Sequence, residues 1–290
     1  MAFFEARRRA HDLAMKVLFH TDEYLLGPPN CTLEAFKTPQ LRQCPFDPAS
    51  MTWEARIDGG LDGYVWKVKF GDQGPFALKV FWDTEPLSYD DMIYHPVQRE
   101  CHNAALLQMI EACVAQSQAT AAESPLLVNA NPTTRNDAWA NQQAFSEDGR
   151  HRQQQKFAQG SIETRTISKV PRMRQCHGWL SISGKTLRAA PRSMHPPFIR
   201  VDKIKRQMPF NKNYMAIVYE YVEDGENDHT AVGKVLEFLW LTGFSLTSSP
   251  LERNWKSGVL LDLSDVVSPR GFGWRPQNYG KRDVARVLRA

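Results

Sequence analysis

The sequence has 290 residues, which is enough for one large domain or two small ones with a substantial core. Hydrophobic residues make up 42% and charged residues 23%, as is typical of a globular protein. A formal net charge of +4 does not by itself indicate nucleic-acid binding, and no run is long and apolar enough for a membrane-spanning helix. The five scattered cysteines form no CxxC pair and lack zinc spacing, which indicates reduced thiols of an intracellular protein.

The first 50 residues are predicted to form an N-terminal extension that flanks the main domain. This extension begins with one helix, passes through the turn Gly27-Pro28-Pro29-Asn30 and continues as a loop-rich passage. The first strand of the main domain is expected at residues 51–57, where Thr52 and Trp53 favour extended backbone.

A glycine-rich turn and two strands are predicted between residues 57 and 82. Apolar and polar side chains alternate over residues 65–70, which is the pattern of a strand with one buried face. Gly71-Asp72-Gln73-Gly74 suits a tight hairpin, and the return strand is apolar except for Lys79. A buried ammonium costs folding free energy unless it meets an anion. Two interpretations therefore remain: Lys79 either reaches solvent at a sheet edge or binds an anionic group.

A helix is predicted over residues 97–114, with Glu100 in its first turn. Glu100 is either an exposed glutamate that the helix dipole favours or the partner that Lys79 needs. From about residue 115 to 166 the sequence is rich in Gln, Asn, Ala and Ser and poor in branched apolar residues. That composition predicts a linker or a disordered insertion.

Regular structure is expected to resume with strands over residues 173–183 and 215–222. The helix predicted after Gly225 carries an apolar stripe that includes Val232, Val235 and Leu239. A final strand is predicted over residues 259–267 and carries two carboxylates, those of Asp262 and Asp265.

The order of these elements resembles that of a protein kinase: glycine loop, strand lysine, helix glutamate, hinge strand, long helix, loop asparagine and metal-binding aspartate. The stretch SPLERNWKSGVLLDLSDVVSP, together with CHGWL, is similar to a fungal protein-kinase-like family that includes the Sim4-complex kinetochore subunit. The resemblance implies an α+β, protein-kinase-like fold. Its N-lobe, residues 51–225, would have a five-stranded antiparallel sheet, one main helix and the disordered insertion at about 115–166, and residues 226–290 would form a truncated helical C-lobe.

The resemblance also implies roles for individual residues, with ATP and Mg²⁺ as the cofactors. Lys79 would contact the α- and β-phosphates, and Glu100 would orient Lys79. Asn254 and Asp262 would bind Mg²⁺ through oxygen ligands. The other nucleotide contacts that the resemblance implies are Gly60, Gly63, Val65, Tyr219, Glu220 and Val222.

The sequence departs from the kinase pattern at the catalytic loop. Thr247-Ser248-Ser249 stands in place of His-Arg-Asp, so the carboxylate that accepts the substrate proton is missing. General-base assistance is worth roughly 10²–10⁴ in rate. Glu252 and Asp265 are the nearest acids that could replace it. The 28 residues after Asp262 are also expected to be too few for an activation segment and the usual C-lobe helices.

The resulting expectation is a pseudokinase that acts as an interaction or scaffold subunit with protein partners. By resemblance it would belong to a kinetochore-type assembly in the nucleus, and neither a membrane nor a nucleic acid is expected as a direct ligand. Two alternatives remain open. One is an active ATP-dependent phosphotransferase with a non-standard base, and the other is a nucleic-acid binder with a basic C-terminal segment.

Overall fold

A computed structural model describes residues 2–89, 94–119, 125–158, 160, 162–201, 204–247 and 252–289. Across these residues the protein is a mixed α+β fold with eight helices and a main sheet of seven strands. The helices are α1 (Ala2–Ala14), α2 (Leu33–Lys37), α3 (Pro96–Ala119), α4 (Arg135–Gln143), α5 (Glu147–Ala158), α6 (Gly184–Ala189), α7 (His229–Leu241) and α8 (Val284–Val287). None of these helices is long and apolar enough to cross a membrane.

The strands vary widely in length. Those of the main sheet are β1 (His20–Tyr24), β2 (Leu41–Gln43), β3 (Met51–Gly59), β4 (Gly63–Phe70), β5 (Gln73–Phe81), β8 (Cys176–Ser183) and β11 (Asn213–Glu220). The others form two-stranded ladders: β6 (Leu127–Asn129), β7 (Thr164–Thr166), β9 (Ile199–Val201), β10 (Ile204–Arg206), β12 (Ser245–Leu246), β13 (Trp255–Lys256), β14 (Val259–Leu260) and β15 (Val266–Val267).

The main sheet is mixed, with the order β1-β2-β8-β11-β5-β4-β3. Every pair from β8 to β3 is antiparallel, whereas β1 pairs with β2 and β2 pairs with β8 in parallel. The sheet therefore has two strands more than the five that the sequence predicts. Both come from the first 50 residues, which enter the sheet instead of only flanking it.

The alternation of side chains along β5 decides where Lys79 points. Ala77 and Phe81 pack into the core that contains α3 and α7, while Leu78 and Val80 pack into a second core on the opposite face of the sheet. Lys79 shares its face with Ala77 and Phe81 because successive strand residues point to opposite faces. The ammonium is therefore directed toward α3 and away from solvent.

Helix α3 is held in place by the N-terminal segment. The Gln98 side chain donates hydrogen bonds to the carbonyl oxygens of Ala14, at 3.0 Å, and Val17, at 2.9 Å. A His102 ring nitrogen lies 3.2 Å from the carbonyl oxygen of Leu18. These contacts position the helix that presents Glu100 to β5.

The region predicted to be disordered, about 115–166, is instead largely ordered where the structure describes it. It contains the end of α3, the ladder β6–β7, and the helices α4 and α5. A capping box between Thr134 and Asp137 starts α4. The Asn141 amide donates to the carbonyl oxygens of Asn129 and Leu241. The prediction was wrong because these polar amides satisfy buried backbone groups, which composition alone cannot reveal.

The strand predicted over residues 259–267 is also interrupted. Strand β14 ends at Leu260, a 3₁₀ turn covers Leu263–Asp265, and β15 follows. The Asp262 carboxylate accepts a hydrogen bond from the Ser264 N–H at 3.0 Å, and this local bond favours a turn over a continuing strand. Asp262 and Asp265 consequently lie at a turn that faces α3.

Candidate functional site

The structure brings Lys79, Glu100 and Asp262 together beneath the main sheet. Lys79 Nζ donates a hydrogen bond to Glu100 Oε1 and another, 3.1 Å long, to Asp262 Oδ1. The second oxygen of Glu100 accepts a hydrogen bond from the Tyr219 hydroxyl at 2.9 Å. Lys79 is 7% exposed and Glu100 is completely buried. Of the two interpretations of Lys79, the geometry favours the one in which it binds anionic groups.

A third carboxylate, that of Asp62, lies in the same cluster. Asp62 belongs to the glycine-rich turn between β3 and β4 and is 7% exposed. Oxygen atoms of Asp62, Glu100 and Asp262 all lie within 4.8 Å of one another. The Tyr94 hydroxyl donates a 2.7 Å hydrogen bond to Asp62 and fixes that carboxylate in place. We call Lys79 and these three acids the Lys79 cluster.

The Lys79 cluster contains one basic group and three acids, and this imbalance shifts their pKa values. Burial disfavours the ammonium, but the charges of Asp262, Glu100 and Asp62 outweigh burial and raise the pKa of Lys79. Burial raises the pKa of Glu100 to about 8, against the opposing charge of Lys79. Burial also raises the pKa of Asp62. These directions have one cause. Three carboxylates surround a single ammonium and stabilise its charge, whereas each carboxylate shares that one positive charge with two other acids.

Asp262 keeps its charge in this arrangement. Burial opposes ionisation, but Lys79 and the hydrogen bonds from Ser264 overcome it and lower the pKa of Asp262 to about 2. Asp262 is therefore the fully ionised partner of Lys79 at neutral pH, and Glu100 and Asp62 hold protons more readily.

Two arginines border the Lys79 cluster and bind backbone carbonyls. Arg174 donates to the oxygen of Glu220 at 3.2 Å and to that of Leu261 at 2.7 Å, and its guanidinium lies 4.4 Å from the ring centroid of Tyr219. Arg99 donates to the oxygen of Ser264 at 3.2 Å. Both side chains tie the turn that carries Asp262 to the elements around it.

At the end of β11, where the resemblance implies a nucleotide-binding hinge, the backbone groups of Glu220 are already hydrogen-bonded within the protein. The Glu220 N–H donates to the carbonyl oxygen of Gln175 at 2.9 Å, and the Glu220 carbonyl accepts the bond from Arg174. The Glu220 carboxylate pairs with Arg172. Val222 is 9% exposed and Tyr219 is completely buried. The backbone groups of Glu220 are thus occupied by the segment before β8.

The glycine-rich turn is closed down onto β5. The Trp82 indole N–H donates to the carbonyl oxygen of Gly60 at 2.9 Å, and the Trp82 backbone N–H donates to that of Asp62 at 3.1 Å. A Cβ on Gly63 would lie 2.4 Å from the carbonyl oxygen of Val80, so only glycine permits this close approach of β4 and β5. Val65 follows on β4, opposite Lys79 in the ladder.

The two residues predicted as metal ligands, Asn254 and Asp262, bind different side chains. Asn254 donates its amide hydrogen to Asp265, and Asp262 instead binds Lys79. Asp265 also lies 3.3 Å from the Thr247 hydroxyl and is 9% exposed. Burial and the Asp262 charge raise the pKa of Asp265 to about 7.

The two candidate bases differ in their surroundings. Glu252 is exposed on the 3₁₀ turn Glu252–Asn254, whereas Asp265 is buried beside the Lys79 cluster. Residues 248–251, which include Ser248 and Ser249 of the degenerate catalytic loop, lie outside the described residues.

In the Lys79 cluster, the groups that a kinase uses for Mg·ATP already contact one another. Carboxylate oxygens are suitable ligands for Mg²⁺, but two of the three acids accept hydrogen bonds from the Lys79 ammonium. The third acid, Asp62, lies in the same cluster as the lysine that a kinase uses for phosphate.

Sequence reasoning missed Asp62, Tyr94 and Arg174. Asp62 stands between glycines in a turn, where an acid is ordinarily exposed, and Tyr94 is 32 residues away in the chain. The one signal in the sequence was Asp62 itself, an acid inside a glycine-rich loop of the kind that covers phosphates in protein kinases.

No family model, curated protein or solved structure matches the chain. What the cluster can do therefore follows from its own residues and their surroundings.

Proposed function

We propose that this protein is a kinase-like protein that has lost phosphoryl transfer and acts as an interaction subunit for protein partners. The kinase-like part of this proposal is supported by the order of four features along the chain. A glycine turn is followed by a lysine on the third strand of the antiparallel run, then by a helix glutamate that binds the lysine, and then by an aspartate at a later turn. The sequence resemblance to the fungal family is the support for partners of a kinetochore-type nuclear assembly.

The observation that carries the loss of catalysis is the buried carboxylate of Asp62. It lies in the same cluster as Lys79, the lysine that a kinase uses for phosphate, and its bond to Tyr94 holds it there. The Trp82 bonds to the glycine turn keep that turn closed over the cluster. A phosphate would have to displace an acid that is already bonded, and would meet the charge of Asp262 as well.

An assay of γ-phosphate transfer tests this proposal. We expect the wild-type protein, with Mg·ATP and either itself or a generic protein substrate, to transfer no more phosphate than the Asp262→Asn variant. Transfer well above background that disappears in Asp262→Asn would contradict the proposal.

An active phosphotransferase is the second candidate, and one observation favours it. Asp265 has a pKa raised to about 7 by burial, and a general base works best with a pKa near the working pH. In that case Asp265→Asn would lose transfer roughly 10²-fold or more, while Glu252→Gln, a change at an exposed acid, would keep it.

A further inference from the structure

Three arginines line a groove to which no residue of the Lys79 cluster contributes. It has a volume of about 550 Å³ and runs between α1 and residues 271–278. Arg7 from α1, Arg135 from the start of α4 and Arg275 from the C-terminal segment all line it, and none of the lining residues is acidic. Three positive charges on one concave surface attract an anion.

These arginines have no carboxylate partner within the described part of the chain. By contrast, ion pairs with carboxylates are formed by Arg165, Arg172, Arg206 and Arg286. Arg135 instead donates hydrogen bonds to the carbonyl oxygens of Pro269 and Gly271, the second at 3.4 Å. Those bonds hold one guanidinium in place before any ligand arrives, which reduces the ordering cost of binding.

The chemistry of the groove favours a phosphorylated protein segment. A phosphoserine or phosphothreonine carries about −1.5 to −2 charges and three acceptor oxygens, and arginine binds phosphate oxygens through paired N–H donors. Three arginines can neutralise such a dianion, whereas one carboxylate would leave most of their charge uncompensated.

Nucleic acid fits the groove less well, because single-stranded binding relies on exposed aromatic faces that stack on bases. Trp274 is 6% exposed and packs against Tyr279, with ring centroids 5.1 Å apart. The ring of Phe272 packs edge-on against His11 at 5.3 Å. We propose that this groove binds a phosphorylated serine or threonine in a partner protein.

Binding of phosphopeptide pools to the full chain tests this proposal. The probes are pools of phosphoserine and phosphothreonine peptides with degenerate flanks, their unphosphorylated and glutamate-substituted counterparts, and inorganic phosphate. We expect the phosphorylated pools to bind at least roughly tenfold more tightly than the counterparts. Arg7→Glu and Arg275→Glu should each weaken this binding by roughly tenfold or more.

Arg9→Glu is the matched control, because Arg9 lies on the same helix, is exposed and does not line the groove. It should leave the affinity unchanged. The proposal would be overturned if no phosphorylated pool bound better than inorganic phosphate, or if binding survived in the Arg7→Glu/Arg275→Glu double variant. Tighter binding of a mixed-sequence DNA oligonucleotide, lost in the same variants, would also overturn it.

Discussion

Replacing Lys79 with methionine removes the ammonium and keeps much of the volume of its stem. Glu100 and Asp262 then each lose a hydrogen-bond donor, and Glu100 has no exposure to solvent. Removing one partner of a buried ion pair costs about 3–5 kcal/mol. At roughly 2 °C per kcal/mol for a chain of this size, Tm should fall by roughly 6–10 °C.

The matched control is Lys69→Met on the neighbouring strand β4. Lys69 pairs with Glu54 at 2.8 Å, but 43% of its side chain is exposed, so the loss should be about 0–1 kcal/mol. Urea unfolding at pH 7 measures both variants under the same conditions.

A double-mutant cycle isolates the ion pair from other effects of the methionine. Asp262→Asn keeps an acceptor for the Ser264 N–H and removes the charge of the ionised partner of Lys79, so it should restore part of the stability that Lys79→Met loses. The coupling between the two changes should be about 0.5–3 kcal/mol. A Lys79→Met cost equal to that of Lys69→Met, with no coupling to Asp262, would refute the buried ion pair.

Two further predictions concern stability. Burial raises the pKa of Asp265 to about 7 from an ordinary 3.8, so the folded state binds the proton more tightly and stability should decline as pH rises from about 4 to 7. Thermal melts across that range should show a flatter slope for Asp265→Asn, and an unchanged slope would contradict the buried site. Gly63→Ala should cost about 1–3 kcal/mol by urea unfolding, because its Cβ would lie 2.4 Å from the Val80 oxygen. Gly60→Ala, which has open space around its Cβ, should cost far less. Equal costs for the two variants would contradict the close approach of β4 and β5.

The elements around Lys79 could be predicted from the sequence because their signals are local. Alternation identifies β4, and an apolar strand with a single lysine requires an anion nearby. Glu100 follows from that requirement, since it lies in the first turns of the next predicted helix. The main sheet was underestimated, because β1 and β2 are short and pair in parallel with a distant strand. Pairing of that kind leaves no local pattern.

The burial of Asp62 in the Lys79 cluster could not be predicted from local sequence patterns. The burial of Asp62 depends on Tyr94, on the turn after β14 and on the Trp82 bonds, all of which are tertiary contacts. The pairing of Asn254 with Asp265 likewise depends on the 3₁₀ turn at Leu263–Asp265.

Binding of Mg·ATP, followed by the thermal shift of each protein relative to its own Tm, tests the central claim most directly. A ligand present at 100 times its Kd stabilises the folded state by about 2.7 kcal/mol. We expect no shift for the wild-type protein at millimolar Mg·ATP. Asp62→Ala should gain a shift, and Asp62→Asn, which keeps the bond to Tyr94, should gain less. A saturable shift in the wild-type protein that Lys79→Met abolishes would contradict the account.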